Sequence, residues 1–255
     1  MTALLSLLPP DLPVWAALAL VGISFVTSAV TAALGLGGGM LLIAAMAQVM
    51  PVAALVPVHG AVQLGSNAGR ALVLRSHIHW PAALWFCAGA VLGAGLGGAL
   101  AVQLPADGLR LALGLFLLWV VWGPRPRFAR MPHRAMAAAG ALSTGLSMVF
   151  GATGPIGGAV LSALDLPRHG FVATQGVTAL VMHLFKIVAF GLLGFAFVPW
   201  AGLIAAMIAS GFLGTLAGTR VLGRMPEERF RAGFRLVMTA LAAILVVRGA
   251  LGLAP

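Results

Sequence analysis

Two glycine clusters, each set inside apolar sequence, have the residue types and spacing that a ligand site inside a membrane protein requires. The first reads GLGGGMLLIAAMAQVMP at 35–51, and the second reads GATGPIGGAVLSALDLP at 151–167. Glycine adopts backbone angles that other residues avoid, and it lets a ligand approach the main chain closely. A helix that begins after such a break presents unpaired N–H groups and the positive end of its dipole, which favour an anion. The clusters therefore predict two backbone cradles for an anion.

A segment with polar residues follows each cluster, at 53–74 and at 169–190. Residue numbers at matching positions differ by 116, as in 175 − 59. Ionisable side chains inside a membrane normally face a cavity or the interior of a helix bundle, and they mark substrate paths. The matching polar residues are His59 and Gln175, Asn67 and His183, and Arg70 and Lys186.

We interpret the two cradles and the two polar segments as parts of one substrate site. Arg70 and Lys186 would supply positive charge, although Arg70 lies five residues before Arg75 and can instead extend to the cytoplasmic surface. His59 and His183 are either buried hydrogen-bonding groups or titrating groups that couple transport to protons. The candidate substrate-binding residues are Gly35, Gly37, Gly38, Gly39, His59, Ser66, Asn67, Arg70, Gly151, Thr153, Gly154, Gln175, His183 and Lys186.

Several classes of function are disfavoured by what the sequence lacks. The five carboxylates (Asp11, Asp107, Asp165, Glu227 and Glu228) all lie at the ends of apolar segments. A buried cation site or a carboxylate proton relay is therefore not expected. We also find no P-loop, no clustered metal ligands and no nucleophile–base pair, so neither a metal, a cofactor nor an enzyme is predicted. The net charge of +10 is scattered between apolar runs, which argues against nucleic-acid binding.

Composition places these residues in a membrane protein. Of the 255 residues, 61% are hydrophobic and only 8% are charged, and the mean hydropathy is +1.08. Soluble domains carry about a quarter charged residues. Apolar runs of roughly 15–25 residues recur from Leu12 to Leu253, near the length that crosses a bilayer. We predict an all-α polytopic protein of the plasma (inner) membrane, with 12–33 retained as its first segment because no basic residue precedes it.

The chain reads as a duplication. We divide it into a first repeat at 1–123, a basic cytoplasmic linker at 124–133 and a second repeat at 134–255. Equivalent loops exchange basic and neutral character, which predicts two inverted-topology repeats with helices interrupted at the glycine clusters and both termini outside. Each half then crosses the membrane an odd number of times, with either five spans or three spans and a re-entrant hairpin.

Two further glycine pairs match between the halves, Gly93 and Gly97 in the first and Gly214 and Gly218 in the second. Their small-xxx-small spacing is typical of close helix contacts rather than of helix breaks. Such a surface serves internal packing or a homodimer, and the sequence leaves both open.

The segment GLGGGMLLI, its degenerate copy GATGPIGGAVLSAL and the polar helix after each resemble the sulfite exporter TauE/SafE family of membrane permeases. The resemblance runs from about Val14 to Gly252. It implies a permease for small sulfur-containing anions such as sulfite or organosulfonates, often acting in export. The glycines of both clusters are the residues that this match identifies. Thr153 and Pro155 depart from it, since the family tends to have glycine at these positions.

Three functions were weighed. The first is a secondary transporter of such an anion by alternating access, with the lipid bilayer and the small anion as its partners. The alternative is a passive anion channel that uses the same helix ends and cations. A membrane-embedded enzyme or assembly factor is the third.

Overall fold

The computed structural model is helical throughout the residues that it describes, which are 9, 12–34, 37–101, 103, 105–124, 130–221 and 227–253. This confirms the predicted all-α class. Short 3-10 turns lie at Arg75–His77, His133–Ala135 and Val198–Trp200. In chain order the helices of these parts are α1 (Val14–Leu34), α2 (Gly38–Met46), α3 (Val52–Val73), α4 (Trp80–Ala101), α5 (Ala106–Trp122), α6 (Met136–Phe150), α7 (Gly154–Ser162), α8 (Arg168–Leu192), α9 (Ala201–Val221) and α10 (Glu227–Leu251).

Membrane-spanning character is confirmed by length and composition. Among the described residues, five helical stretches are long and apolar enough to cross a bilayer. The polar stripe of α3 and the 17-residue length of α5 set those two helices apart. The five stretches are Val14–Ala32, Trp80–Ala101, Gly170–Leu192, Val198–Gly218 and Ala232–Leu251.

The helices after the glycine clusters are short. Helices α2 and α7 have nine residues each, about 14 Å at 1.5 Å per residue, against roughly 30 Å of hydrocarbon. A Cβ on Gly38 would overlap the Thr27 carbonyl, so α2 folds back along α1. The Thr153 hydroxyl donates to the Ser143 carbonyl at 2.6 Å, so α7 folds back along α6. Each half therefore has one short helix that folds back on the helix before it, and the number of membrane crossings in each half stays a prediction.

Glycine and proline explain where these hairpins turn. Gly37 has a φ of 105° and Gly151 a φ of 75°, which lie in the left-handed region that L side chains rarely adopt. Pro155 lies in the first turn of α7, where its missing N–H is not needed. The next long helices begin directly after Pro51 and Pro167.

Equivalent helices of the two halves pack in an exchanged pattern. Helix α1 packs on α9 and α6 packs on α4, while α3 pairs with its own equivalent α8 and α5 with α10. Gly60 of α3 lies against Lys186 of α8, and Gly176 of α8 lies against Arg70 of α3, so these equivalents run antiparallel. Antiparallel equivalents are what an inverted repeat requires. Inversion with respect to a membrane stays a prediction.

The α4–α6 and α1–α9 contacts are made by small residues, as predicted for the second set of glycines. A Cβ on Gly93 or Gly97 would overlap backbone of Ala141 or Gly145 in α6, and Gly214 and Gly218 lie equally close to backbone of α1. The packing interpretation of these glycines is confirmed. Because the chain itself occupies both small-residue faces, neither is left for a homodimer.

We expect Gly93→Val to destabilise the protein while Gly95→Val does not. Both lie in α4, but a Cβ at Gly95 has no atom within 4 Å, whereas at Gly93 it overlaps the α6 backbone. Overpacking that displaces backbone should lower the melting temperature in detergent by about 5 °C or more. Thermal unfolding followed by size-exclusion chromatography measures this, and equal melting temperatures for the two variants would contradict the close α4–α6 contact.

Candidate functional site

One cavity of about 60 Å³ lies between the two hairpins. The beginnings of α2 and α7 both line it, together with the polar stripes of α3 and α8. Its lining residues are Thr31, Gly37, Gly39, Met40, Gln63, Asn67, Arg70, Ala152, Gly154, Pro155, Gln175, Ala179, Met182 and His183.

The start of α2 contributes a glycine cradle. Gly37 caps α2, and the two residues after it are glycines at the first helical positions. A Cβ on Gly39 would overlap the amide nitrogen of Gln63, so only glycine lets the backbone come this near to the α3 stripe. Amide groups in the first turn of a helix have no partner within the helix. Such amides are the groups that bind anions at helix N-termini.

The α7 start is similar but poorer in donors. Its first residues are Gly154 and Pro155, and proline has no N–H. The side chain of Gln175 donates to the Gly154 carbonyl at 3.4 Å, and its buried Oε1 has no partner in the described part of the chain. The second cradle thus has one backbone donor fewer than the first.

Arg70 brings positive charge to the cavity. It is partly buried and lines the cavity wall, and extension of its side chain to the membrane surface stays an alternative. Among the described residues, its guanidinium has no hydrogen-bond or salt-bridge partner. The one salt bridge in the described residues joins Arg110 to Asp107, outside the cavity. The cavity therefore pairs a free guanidinium with helix N-termini and with no carboxylate.

Next to the cavity lies a buried group of three basic side chains, which we term the closing layer: His59, His183 and Lys186, of which His183 also lines the cavity. His59 and Lys186 are fully buried, and the His59 and His183 rings are 5.8 Å apart. The Nε2 of His59 lies 2.9 Å from the Gly39 carbonyl oxygen, and the Nζ of Lys186 donates to the Gly151 carbonyl at 2.6 Å. Each bond satisfies a carbonyl at one of the two helix breaks.

The structure brings half of the candidate residues to the cavity wall. These are Gly37, Gly39, Asn67, Arg70, Gly154, Gln175 and His183. Gly35 lies outside the described residues. The others lie behind or beside the cavity: Gly38 against α1, Ser66 with Ser28, Thr153 on Ser143, and Gly151 with Lys186 and His59.

Some lining residues were missed from the sequence. Gln63 belongs to the polar stripe of α3 and had a signal, since it lies four residues from His59 and from Asn67. The Ser/Thr pattern at 27, 28 and 31 recurs at 143, 144 and 147, and this repeat would have drawn attention to Thr31. The apolar lining residues Met40, Ala179 and Met182 are indistinguishable in sequence from core residues.

The cavity lies toward one end of the bundle. We term this the Arg75 end, where α3 ends and α8 begins. On α3 the lining residues run from Gln63 to Arg70, and on α8 from Gln175 to His183. His59 precedes the first set and Lys186 follows the second, so the closing layer lies on the opposite side. The side chains of His59 and Lys186 on that side are fully buried.

Comparison with known families identifies one match. The model of the family described as sulfite exporter TauE/SafE matches residues 20–245, which is most of the chain. Comparisons with curated proteins and with solved structures gave no match.

We expect Gly151→Ala to destabilise the hairpin more than Gly194→Ala does. Both glycines have positive φ, so both variants carry strain of about 1–2 kcal/mol. At Gly151 the new methyl group would overlap the Cδ1 of Ile43. At Gly194 the new methyl group would have no neighbour within 4 Å. Adding Ile43→Val, which removes that Cδ1, should recover part of the loss. Melting temperatures of the three variants measure this, and equal losses at both glycines would refute the steric account.

Proposed function

The chain belongs to the sulfite exporter TauE/SafE family, and we propose that it is a secondary transporter of a small sulfur-containing anion, such as sulfite or an organosulfonate, by alternating access. The family is one of membrane transporters, so the chain is an integral membrane protein and not expected to be an enzyme. One observation carries the proposal. The starts of α2 and α7 and the guanidinium of Arg70 meet at a single cavity that contains no carboxylate among its lining residues.

The wall of the cavity matches the chemistry of a sulfonate or sulfite group. Such a group has three oxygens that share negative charge. Arg70 offers a planar set of donors, and the amides of Gln63 and Asn67 lie on the same stripe of α3. Helix N-termini add partial positive charge without the desolvation cost of further ionised side chains. The combination favours a compact oxyanion over a cation or a neutral solute.

Apolar residues on the other side of the cavity suit an organic substituent. Met40, Ala179 and Met182 line the wall next to the polar groups. Methionine adapts its shape to irregular partners, so this side accepts more than one small substituent. These contacts support an organosulfonate as a substrate beside sulfite.

The burial of the closing layer supports alternating access over a channel. A channel needs a continuous path through the bundle, whereas the side chains of His59 and Lys186, which lie beyond the cavity lining on α3 and α8, are fully buried. In inverted-repeat transporters the site lies at the repeat interface, and one repeat moves against the other to expose it alternately. The exchanged packing forms two helix pairs, α1 with α9 and α4 with α6, and each pair contains one helix of each repeat.

We expect Arg70→Gln to reduce uptake of radiolabelled sulfite into liposomes by about tenfold or more, since one charge-assisted hydrogen bond is worth roughly 1.5–3 kcal/mol. Arg75→Gln is the matched control, because Arg75 is exposed and outside the cavity. Its uptake should stay within about twofold of the unsubstituted protein. Sulfoacetate should compete, and chloride should not. If Arg70→Gln takes up sulfite as fast as the unsubstituted protein, Arg70 is not part of the binding site. If the unsubstituted protein takes up no sulfite, sulfite is not its substrate.

Trans-stimulation separates a transporter from a channel. Liposomes preloaded with unlabelled sulfite should take up labelled sulfite faster than empty liposomes, because a loaded carrier returns through the membrane with its substrate. A channel gives no such acceleration. Uptake that rises linearly with sulfite concentration and ignores internal sulfite would therefore refute alternating access.

A further inference from the structure

The repeat-equivalent cations Arg70 and Lys186 occupy different environments. Arg70 lines the cavity, whereas Lys186 is fully buried and its ammonium donates to the carbonyl of Gly151. Sequence correspondence would place both side chains alike. In this structure the two cations therefore have different partners.

Lys186 lies at the edge of the cavity lining on α8 and is fully buried. Lys186 follows His183 on α8, and His183 is the last cavity-lining residue of that helix. Across from it on α3 lies Gly60, whose Cβ would be 2.8 Å from the Cδ of Lys186. The layer has spare hydrogen-bonding capacity, since the buried Nδ1 atoms of His59 and His183 have no partner among the described residues.

We propose that Lys186 is the gate of the end opposite Arg75 and the second anion-binding cation of the transport cycle. In the present conformation its ammonium holds the Gly151 carbonyl and closes that end. When the anion reaches the closing layer, it replaces this carbonyl as the partner of Lys186, and the α6–α7 hairpin is released. The inference rests on the proposed transport of a sulfur-containing anion.

The exchange of partners is favourable for electrostatic reasons. An ammonium in an apolar bundle needs an acceptor, and no carboxylate pairs with Lys186 in the described part of the chain. An oxyanion is a stronger partner for an ammonium than a neutral carbonyl is. The hydrogen bond to Gly151 therefore holds the gate only while no anion is present.

The hinge of the movement is already present in the backbone. Gly151 ends α6 with a φ of 75°, and α7 begins three residues later. The Gly151 carbonyl also accepts from the Ser147 hydroxyl at 3.0 Å, so this oxygen keeps one partner after Lys186 leaves. Releasing the ammonium thus does not strand a buried carbonyl without a hydrogen bond.

The test measures access to each side of the closing layer with a membrane-impermeant maleimide, in a Cys87→Ser background that removes the only native cysteine. One reporter is Ala179→Cys in the cavity wall. The other is Phe190→Cys, one turn after Lys186 on the same face of α8 and 8% exposed. With the gate closed, the first reporter should react from the Arg75 end and the second should be protected from both sides.

Two variants break the gate in independent ways. Lys186→Met removes the ammonium, and Gly60→Ala keeps it but places a methyl group against the lysine side chain. Gly69→Ala is the matched control on α3, because its new methyl group would have no neighbour closer than 3.9 Å. In both gate variants the maleimide should react with Phe190→Cys about tenfold faster, as expected when one charge-assisted hydrogen bond is lost from the closed state. It should react with Ala179→Cys more slowly. Gly69→Ala should change neither rate.

Ligand dependence completes the test. Sulfoacetate is the probe, since it does not consume maleimide as sulfite does. It should accelerate labelling of Phe190→Cys when Lys186 is present and should have no effect after Lys186→Met. Unchanged Phe190→Cys labelling in both gate variants would overturn the gate, and so would faster labelling of both reporters at once, which indicates general loosening.

Flux measured in parallel separates this inference from the proposed function. If uptake of sulfite or sulfoacetate is saturable but the gate variants do not change labelling, the gate is overturned and the proposed transport function stands. If labelling changes as expected but the protein transports neither anion, the assigned substrate is wrong. Lys186 would then be a gate for a substrate that is still to be identified.

Discussion

A helix that breaks inside an apolar bundle leaves carbonyl and amide groups that lipid cannot satisfy, and this constraint shapes the centre of the molecule. The carbonyls at the two breaks are satisfied by side chains from the long helices behind them. His59 contacts Gly39, Gln175 donates to Gly154, and Lys186 donates to Gly151. Gly39 and Gly154 at the same breaks line the cavity. With these carbonyls satisfied by side chains, the first-turn amides are the backbone groups that we propose for the anion.

Close packing follows from the same constraint. The hairpins can turn back at mid-depth only if the surrounding helices approach closely enough to exclude lipid from the breaks. Small residues make this approach, with α4 seated on the backbone of α6 through Gly93 and Gly97. The exchanged pairing means that each hairpin is braced by a long helix of the other repeat. The glycines of the breaks and the glycines of the helix contacts therefore have different roles in one arrangement.

The sequence was sufficient for much of this fold, because its signals are local. Helix breaks follow from clusters of glycine and proline, and close helix contacts from small-xxx-small spacing. The polar stripe of α3 was also visible, including Gln63. What could not be read was which polar residues face the cavity. Thr153 turns to Ser143 and Ser66 to Ser28 because tertiary neighbours offer partners there, and such neighbours do not appear in the spacing of one chain segment.

Arg70 and Lys186 show most clearly that sequence spacing does not reveal where a side chain lies in the folded protein. They correspond in the repeat, yet one lines the cavity and the other is buried on a carbonyl, because two equivalent sequences need not adopt the same state at the same time. In an alternating-access protein built from inverted repeats, such inequality is expected, since each conformation favours one repeat's arrangement over the other's. The inequality also extends to the cradles, because Pro155 removes a donor that the first cradle retains.

Unequal cradles affect the affinity of the site for the anion, but they do not determine the direction of transport. If the anion is held by different donors when the site faces each side, its affinity differs between the two states by the free energy of those contacts. A difference of this kind changes the concentrations at which each side saturates. It does not decide which way the anion moves, because a cycle without an energy source runs down whatever gradient it meets. For the proposed transporter, export or import is thus set by the gradients across its membrane, while the proposed contacts of the anion with Arg70, Lys186 and the two cradles set the rate at which those gradients are used.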